Sequence, residues 1–431
     1  MSAGTAETTT CSVRVISIYA TRWRHRGHAT RETQLDLKLG RLKDFYDFYK
    51  DQLPRLLVQD TIEVADVGFP SPVAGAEITQ VSSWLFALPS YQVVAALALD
   101  FTTRPLAVEA QPTAEVLERC IHAQLRIRGK ELPEYVRSLA DSVAAEPIET
   151  EQAELLPERH QLVFVPRLTD DEEPLGDSVI EEIVYRDAPP YREEFTKLQK
   201  PEELNQPGRT LGRVTPYASL LYGHKDFVED SVFLSTVHAV GTASRFRQIW
   251  HDAYRQVRAF REDKQKEGAG EQVREDLEVL ADNLGNLEFD LTFSVEFPLM
   301  RIESFHSALY EAMDLPSQAV TLSQMFTQLA GSVRSEITAI DIRERRTAES
   351  KQKWNAIAAS VLSFIGVPVG FVVAFFGINA RQVRSDRSIF DHHYLAAYVV
   401  ALCLALIPVG FILFPYVRGW RRKRNLRPHL A

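Results

Sequence analysis

The first 240 residues alternate continuous apolar runs with segments of helical spacing. The runs that predict buried strands are residues 13–20, 91–101, 162–166, 218–223 and 231–240. Apolar positions in residues 32–57 recur at helical spacing, and residues 112–127 predict a helix that starts at Pro112 or Thr113. Strands mixed with helices favour an α/β cytosolic domain over residues 1–240.

From residue 241 the pattern changes to long helices. Residues 287–297 fit both an alternating strand and a helix face, so periodicity leaves both readings open. Beyond Pro316 one apolar stripe recurs every three or four positions, which predicts a stalk helix that continues to Phe376. Its members are Leu322, Phe326, Leu329, Val333, Ile337 and Ile340. A helix of about 90 Å cannot bury this stripe alone, so we expect a homo-oligomeric bundle.

Two runs without charged residues, 354–380 and 394–417, are each longer than the roughly 20 residues that a membrane helix needs. Basic residues precede the first run and follow the second, which by the positive-inside rule puts both termini in the cytoplasm. These features predict an inner (plasma) membrane protein with two membrane helices in contact with the lipid bilayer. The alternative is that both runs are buried helices of a soluble protein.

Composition narrows the function classes. The net charge of −9 argues against a nucleic-acid partner, which would require a basic surface. The three cysteines are far apart and show no zinc spacing, as expected of reduced thiols in the cytosol. The N-terminus has no signal-peptide pattern. Because no nucleophile–base set, phosphate loop or GxSxG elbow occurs, we expect neither an enzyme nor a bound cofactor.

One motif carries a family resemblance. Pro368, Phe371, Gly377 and Asn379 match the end of the first membrane helix of the CorA family, which this part of the chain resembles. The resemblance implies a symmetric pentamer with an α/β or α+β cytosolic domain, long helices, a stalk helix continuous with the first membrane helix, and a second membrane helix. The expected segments are residues 1–240 (cytosolic domain), 241–316 (long helices), 317–353 (stalk), 354–379 (first membrane helix), 380–393 (outer loop), 394–417 (second membrane helix) and 418–431 (basic tail).

The resemblance also implies a set of ion-path residues. A ring of Asn379 carboxamides accepts hydrogen bonds from metal-bound water, and Gly377 permits a sharp turn. Ile378 replaces the more usual Met, as in a branch of the family associated with zinc transport. The expected pore-facing stripe consists of Ala356, Ala359, Ser363, Val367 and Gly370. Magnesium or zinc is therefore the expected transported or regulatory ion.

The expected outer loop departs from the family pattern. Arg381 and Arg384 repel an approaching cation, whereas Asp391, His392 and His393 either capture a transition metal or form a solvated loop. Two hypotheses follow. The first is a channel or transporter for a divalent cation (Mg, Zn, Co or Ni) that is gated by the cytosolic domain. The second is a ligand-gated membrane effector in signalling or defence, with altered or no metal transport.

Overall fold

The computed structural model describes most of the chain in two units, Met1–Val333 and Arg334–Ala431. The described residues are 10–26, 53–148, 151–166, 175–186, 198–202, 205, 210–224, 226–263, 274–282, 284–285, 303–378, 392, 395–396, 398–400 and 402–403. All statements on structure below concern these residues.

An eight-stranded sheet forms the centre of the first unit. The unit has eleven described strands, eight in this sheet and three in a smaller one: β1 Cys11–Arg24, β2 Arg55–Ile62, β3 Val67–Gly68, β4 Glu77–Ala87, β5 Gln92–Thr103, β6 Arg126–Ile127, β7 Lys130–Glu131, β8 Glu146–Pro147, β9 Leu155–Val165, β10 Leu211–Val214 and β11 Ala218–Tyr222. The main sheet has the order β10-β11-β9-β1-β5-β4-β2, and β8 also pairs with β1. Only the β9–β11 pair of this sheet is parallel. Strands β3, β6 and β7 form a small second sheet.

Helices cover both faces of the main sheet. The described helices of the chain are α1 Gln111–Ile121, α2 Leu132–Ser142, α3 Asp177–Tyr185, α4 Asp226–Asp263, α5 Glu303–Ala312 and α6 Leu315–Ile378, and residues 274–282 are also helical. Val15 and Val163 share a core with Leu117 of α1. On the opposite face, Phe233 of α4 packs edge-on against Phe86, with ring centroids 5.6 Å apart. Burial on both faces explains the continuous apolar runs of the central strands.

Most predicted strands are confirmed, and one is wrong. Residues 13–20, 91–101, 162–166 and 218–223 lie in β1, β5, β9 and β11. Residues 231–240 instead lie inside α4, where Thr236 Oγ1 donates to the carbonyl of Val232 one turn earlier. This helix segment is buried all round, so its apolar run has no periodicity that separates helix from strand.

Several other predicted segments are only partly described or have different bounds in the structure. The predicted helix 112–127 exists as α1 but ends at Ile121. Residues 32–52 of the predicted helix 32–57 and all of 287–297 lie outside the described residues, and residues 55–57 belong to β2 rather than to a helix. The predicted boundary between residues 240 and 241 falls inside α4. The continuous helix expected as far as Phe376 is present within α6, which runs for 64 residues, about 96 Å.

The prediction of membrane helices is wrong. Within the described ranges, no helix is long and apolar enough to cross a membrane. This finding contradicts the predicted two-helix membrane fold, the interpretation as a membrane protein and ion channel, and the predicted inner-membrane location. The prediction relied on the absence of charges in residues 354–380, and the described residues there include the polar Asn355, Ser360 and Ser363. Most of 394–417 and all of 418–431 lie outside the described residues.

Candidate functional site

The residues expected to form an ion path are only partly described. Ala356, Ala359, Ser363 and Gly370 are exposed on α6, while Val367, Gly377 and Ile378 belong to the same helix without a described side chain. His392 is exposed. The remaining expected residues lie outside the described residues, namely Asn379, Arg381, Arg384, Asp391 and His393. No group of three His, Cys, Asp or Glu that could hold a metal ion occurs where the structure describes the chain.

An open cavity of about 690 Å³ in the first unit is a candidate site. This volume lies within the range of small-molecule pockets, about 300–1,000 Å³. Its walls come from the start of β9, the β10–β11 turn, the middle of α4, the α5–α6 junction and the first turns of α6. The lining residues are Pro157, Glu158, Arg159, Pro216, Tyr217, Ala243, Phe246, Arg247, Trp250, Ala312, Met313, Asp314, Ser317, Gln318, Thr321 and Leu322.

Aromatic side chains supply much of the apolar lining. Phe246 is buried, whereas Trp250 and Tyr217 keep about half of their surface exposed, 46% and 51%. Tyr254, one turn beyond Trp250, stacks on it at 5.8 Å between ring centroids. This stacking restricts the indole ring of Trp250. A half-exposed ring in a cavity offers a flat apolar surface to a bound molecule.

An ion network fixes one wall. Arg247 of α4 contacts Glu158 through Nε at 2.6 Å and Glu151 through Nη1 at 2.9 Å. Burial alone would lower the pKa of Arg247, but the two carboxylates favour its charged form and the net shift is upward. The positive charge of Arg247 is therefore compensated by its own neighbours, and the network ties α4 to the β9 end of the sheet.

Two further lining residues of opposite charge have no ionic partner among the described residues. Arg159 donates from Nε to the carbonyl of Pro157 at 3.3 Å and from Nη1 to the carbonyl of Ile121, both of them neutral acceptors. Asp314 lies at the α5–α6 junction with a left-handed φ of 59°. Its backbone N–H donates to Glu311 at 3.1 Å and its carbonyl accepts from Gln318, whereas its carboxylate is exposed. The guanidinium of Arg159 thus bonds to the end of α1, on the face of the sheet opposite α4, whereas Asp314 adds an exposed carboxylate at the α5–α6 junction.

Buried polar contacts hold α5 against α4 next to the cavity. His306 bonds Ser235 at 2.8 Å, and His238 bonds the hydroxyl of Tyr310. Burial lowers the pKa of His306 to about 4. Burial, together with the nearby His306, lowers the pKa of His238 to about 3. Both imidazoles are therefore neutral near pH 7.

Sequence reasoning placed His238 in the predicted strand 231–240, whereas it lies in α4. The sequence reasoning also missed the cavity. Trp250 and Arg247 stand in a basic segment without a motif, and Asp314 resembles any polar residue before a helix. The lining comes from five separate elements, so only the tertiary fold brings it together.

Comparison with protein-family models, with curated proteins and with solved structures finds no match for the chain. The resemblance to the CorA family, which rests on the residues around 368–379, therefore stays a prediction.

Proposed function

We propose that the chain is a ligand-responsive regulatory protein in which occupancy of the cavity changes the conformation of the α5–α6 junction. The observation that carries this proposal is the composition of the cavity wall. It combines β9, the β10–β11 turn and α4 with Met313, Asp314 and the first turns of α6. A ligand that contacts both sets of residues binds with a different affinity when their separation changes.

The local backbone supports movement at this junction. Asp314 adopts a left-handed φ, which costs a non-glycine residue about 1 kcal/mol or more. The bonds of His306 and His238 hold α5 to α4, so α5 moves less easily than the start of α6. A ligand shifts such an equilibrium only through its different affinity for the two states. Contacts to Ser317 and Thr321 provide that difference.

Transport of a divalent cation is not the function that the described residues favour. It remains an expectation from the resemblance, centred on Asn379, which lies outside the described residues. The cavity instead supports the sensing part of the second hypothesis, without its membrane component.

We also propose that α6 mediates self-association. In the second unit, residues 342–360 of α6 are exposed on every side. Large apolar side chains are among them, including Ile342 (46% exposed) and Trp354 (69%). An isolated helix with exposed apolar groups gains stability by packing against another helix. Residues 341–353 carry three acidic and five basic side chains, so two copies of this helix can form ion pairs as well as repulsive contacts.

Hydrogen–deuterium exchange tests the regulatory proposal without a known ligand. Thr321→Trp and, independently, Ala243→Phe add bulk that fills the cavity and mimics occupancy. We expect amide exchange across residues 313–322 to change at least about fivefold, the lower end of typical allosteric coupling. Thr327→Trp, on an exposed position of the same helix outside the cavity lining, is the matched control. Exchange that is the same in both filled variants as in this control would refute the proposed coupling.

A further inference from the structure

We infer that the open cavity binds a protonated amine that is carried on an aromatic body. This inference names the ligand class of the regulatory site and therefore rests on the function proposed above. Three properties of the cavity carry it: an excess of negative charge, acceptor atoms on the α6 wall, and an exposed indole ring on the α4 wall.

The charged groups at the cavity have a negative sum. Arg247, on the α4 wall, shares its single positive charge between Glu158 at 2.6 Å and Glu151 at 2.9 Å. Asp314, where α6 begins, adds an exposed carboxylate that has no hydrogen bond or ion pair with any other described residue. Three carboxylates therefore stand against one guanidinium, and this excess attracts a cation and repels an anion.

The remaining charged lining residue, Arg159, does not cancel this excess. Its register partner on β1 is Tyr19, which belongs to the core on the α1 face, and its Nη1 donates to the carbonyl of Ile121 at the end of α1. The guanidinium of Arg159 therefore lies on the opposite face of the sheet from α4. The helix termini at the α5–α6 junction also leave the balance unchanged, because the end of α5 and the start of α6 carry partial charges of opposite sign.

The α6 wall offers hydrogen-bond acceptors to a ligand. Gln318 donates its amide nitrogen to the carbonyl of Met313 at 3.3 Å, which leaves its amide oxygen available as an acceptor. Asp314 lies four positions earlier in the same lining and presents carboxylate oxygens. An ammonium group has three N–H donors and no acceptor, so it complements both side chains.

The α4 wall supplies the contact for an aromatic body. Trp250 is 46% exposed and lies on one stripe of α4 with Phe246 and Arg247, at spacings of three and four residues. Tyr254 stacks on the indole ring of Trp250 at 5.8 Å between ring centroids, which restricts its orientation. An exposed indole packs against another ring and also attracts a cation to its face. A small aromatic amine fits within about 690 Å³.

Calorimetric titration with matched probes at pH 7.5 tests the inference in the full-length protein. The probes are tryptamine and phenethylamine, the alcohols tryptophol and 2-phenylethanol, and the anions 3-indolepropionate and 3-phenylpropionate. We expect each amine to bind at least about tenfold more tightly than its alcohol, because a hydrogen bond to a charged group is stronger than a neutral one, and each anion to bind more weakly still. The N,N,N-trimethyl derivative of phenethylamine keeps the charge without a donor and should also bind at least about tenfold more weakly.

Two variants assign the contacts. Asp314→Asn should weaken binding of both amines about tenfold and leave the alcohols unchanged, because it removes the charge that only the amines use. Glu311→Gln, at an exposed position three residues away and outside the lining, is the matched control for loss of a nearby carboxylate. Trp250→Leu should weaken an amine and its alcohol together, since both place a ring against the indole.

The inference is overturned if neither amine binds, if the alcohols or the trimethylated probe bind as tightly as the amines, or if Asp314→Asn behaves as Glu311→Gln does. Unchanged binding of every probe to Trp250→Leu would equally overturn it. These outcomes are separate from the exchange experiment on the filled variants, which tests the coupling to α6 whatever the ligand is.

Discussion

Three buried histidines make the stability of the first unit depend on pH. Burial lowers the pKa of His160 and His306 to about 4 and that of His238 to about 3, against an ordinary value of 6.5. In neutral His160, Nδ1 donates to the carbonyl of Pro216 at 3.2 Å and Nε2 accepts from the hydroxyl of Ser219 at 2.8 Å. The bond to Pro216 raises the pKa of His160, but burial lowers it by more.

The sign and size of the effect follow from proton linkage. Below pH 6.5 the unfolded chain binds a proton at each histidine, and the native protein does so only near pH 4 or below. The free energy of unfolding therefore falls as the pH falls through this window, by up to about 1.4 kcal/mol per pH unit for each histidine. At pH 5.0 each histidine lowers the free energy of unfolding by about 2 kcal/mol, and the three together lower it by about 6 kcal/mol. This loss is comparable to the whole stability of a typical domain.

Urea unfolding at pH 7.5 and pH 5.0, followed by tryptophan fluorescence, measures this loss. His306→Gln removes one titrating group. The free energy of unfolding of this variant should therefore fall by about 2 kcal/mol less between the two pH values than that of the wild type. The carboxylates of the chain contribute equally to both proteins and cancel in this difference. His122→Gln, at a mostly exposed surface position, is the control for replacing a histidine by glutamine. A decline in His306→Gln equal to that of the control would refute the linkage argument.

Further predictions concern packing, the ion network and assembly. Phe233→Ala should lower the free energy of unfolding by about 3–5 kcal/mol, measured by urea unfolding, because it leaves a cavity beside Phe86 and Trp84. Arg247→Met should cost about 3 kcal/mol in the same assay, since it leaves two partly buried carboxylates unpaired, and an unchanged midpoint would contradict the role of the network. Trp354→Glu should reduce the mass of the assembly in light scattering, and a wild-type monomer would refute self-association through α6.

The sequence predicted elements well where their pattern is decisive. Strand β5 is buried on both faces and flanked by turns, and the long α6 shows a stripe at Leu322, Phe326 and Val333 that is indeed buried. The strand prediction for residues 231–240 was wrong, because a helix that is buried on all sides has the same continuous apolar run as a central strand. A charge-free run likewise did not suffice to identify a membrane helix.

The candidate site was beyond prediction from a single sequence. Arg159 and Asp314 are 155 positions apart, and neither belongs to a recognisable motif. Their common place in the lining of one cavity depends on how α4, α5 and the sheet pack, whereas the predicted ion-path residues were chosen because they match a short local motif. Local motifs are visible in a sequence, and sites assembled from distant elements are not.

The first strand of the chain lies at the centre of the sheet, between β5 and β9. During synthesis, β1 is therefore made long before either of its neighbours and cannot complete its backbone pairing until Val165 has emerged. At about 5–20 residues per second, this delay lasts on the order of 10–30 s. Both edges of this apolar strand are unpaired until Thr103 has emerged, and one edge stays unpaired until β9 follows, so the nascent chain exposes a strand edge on which other chains can pair.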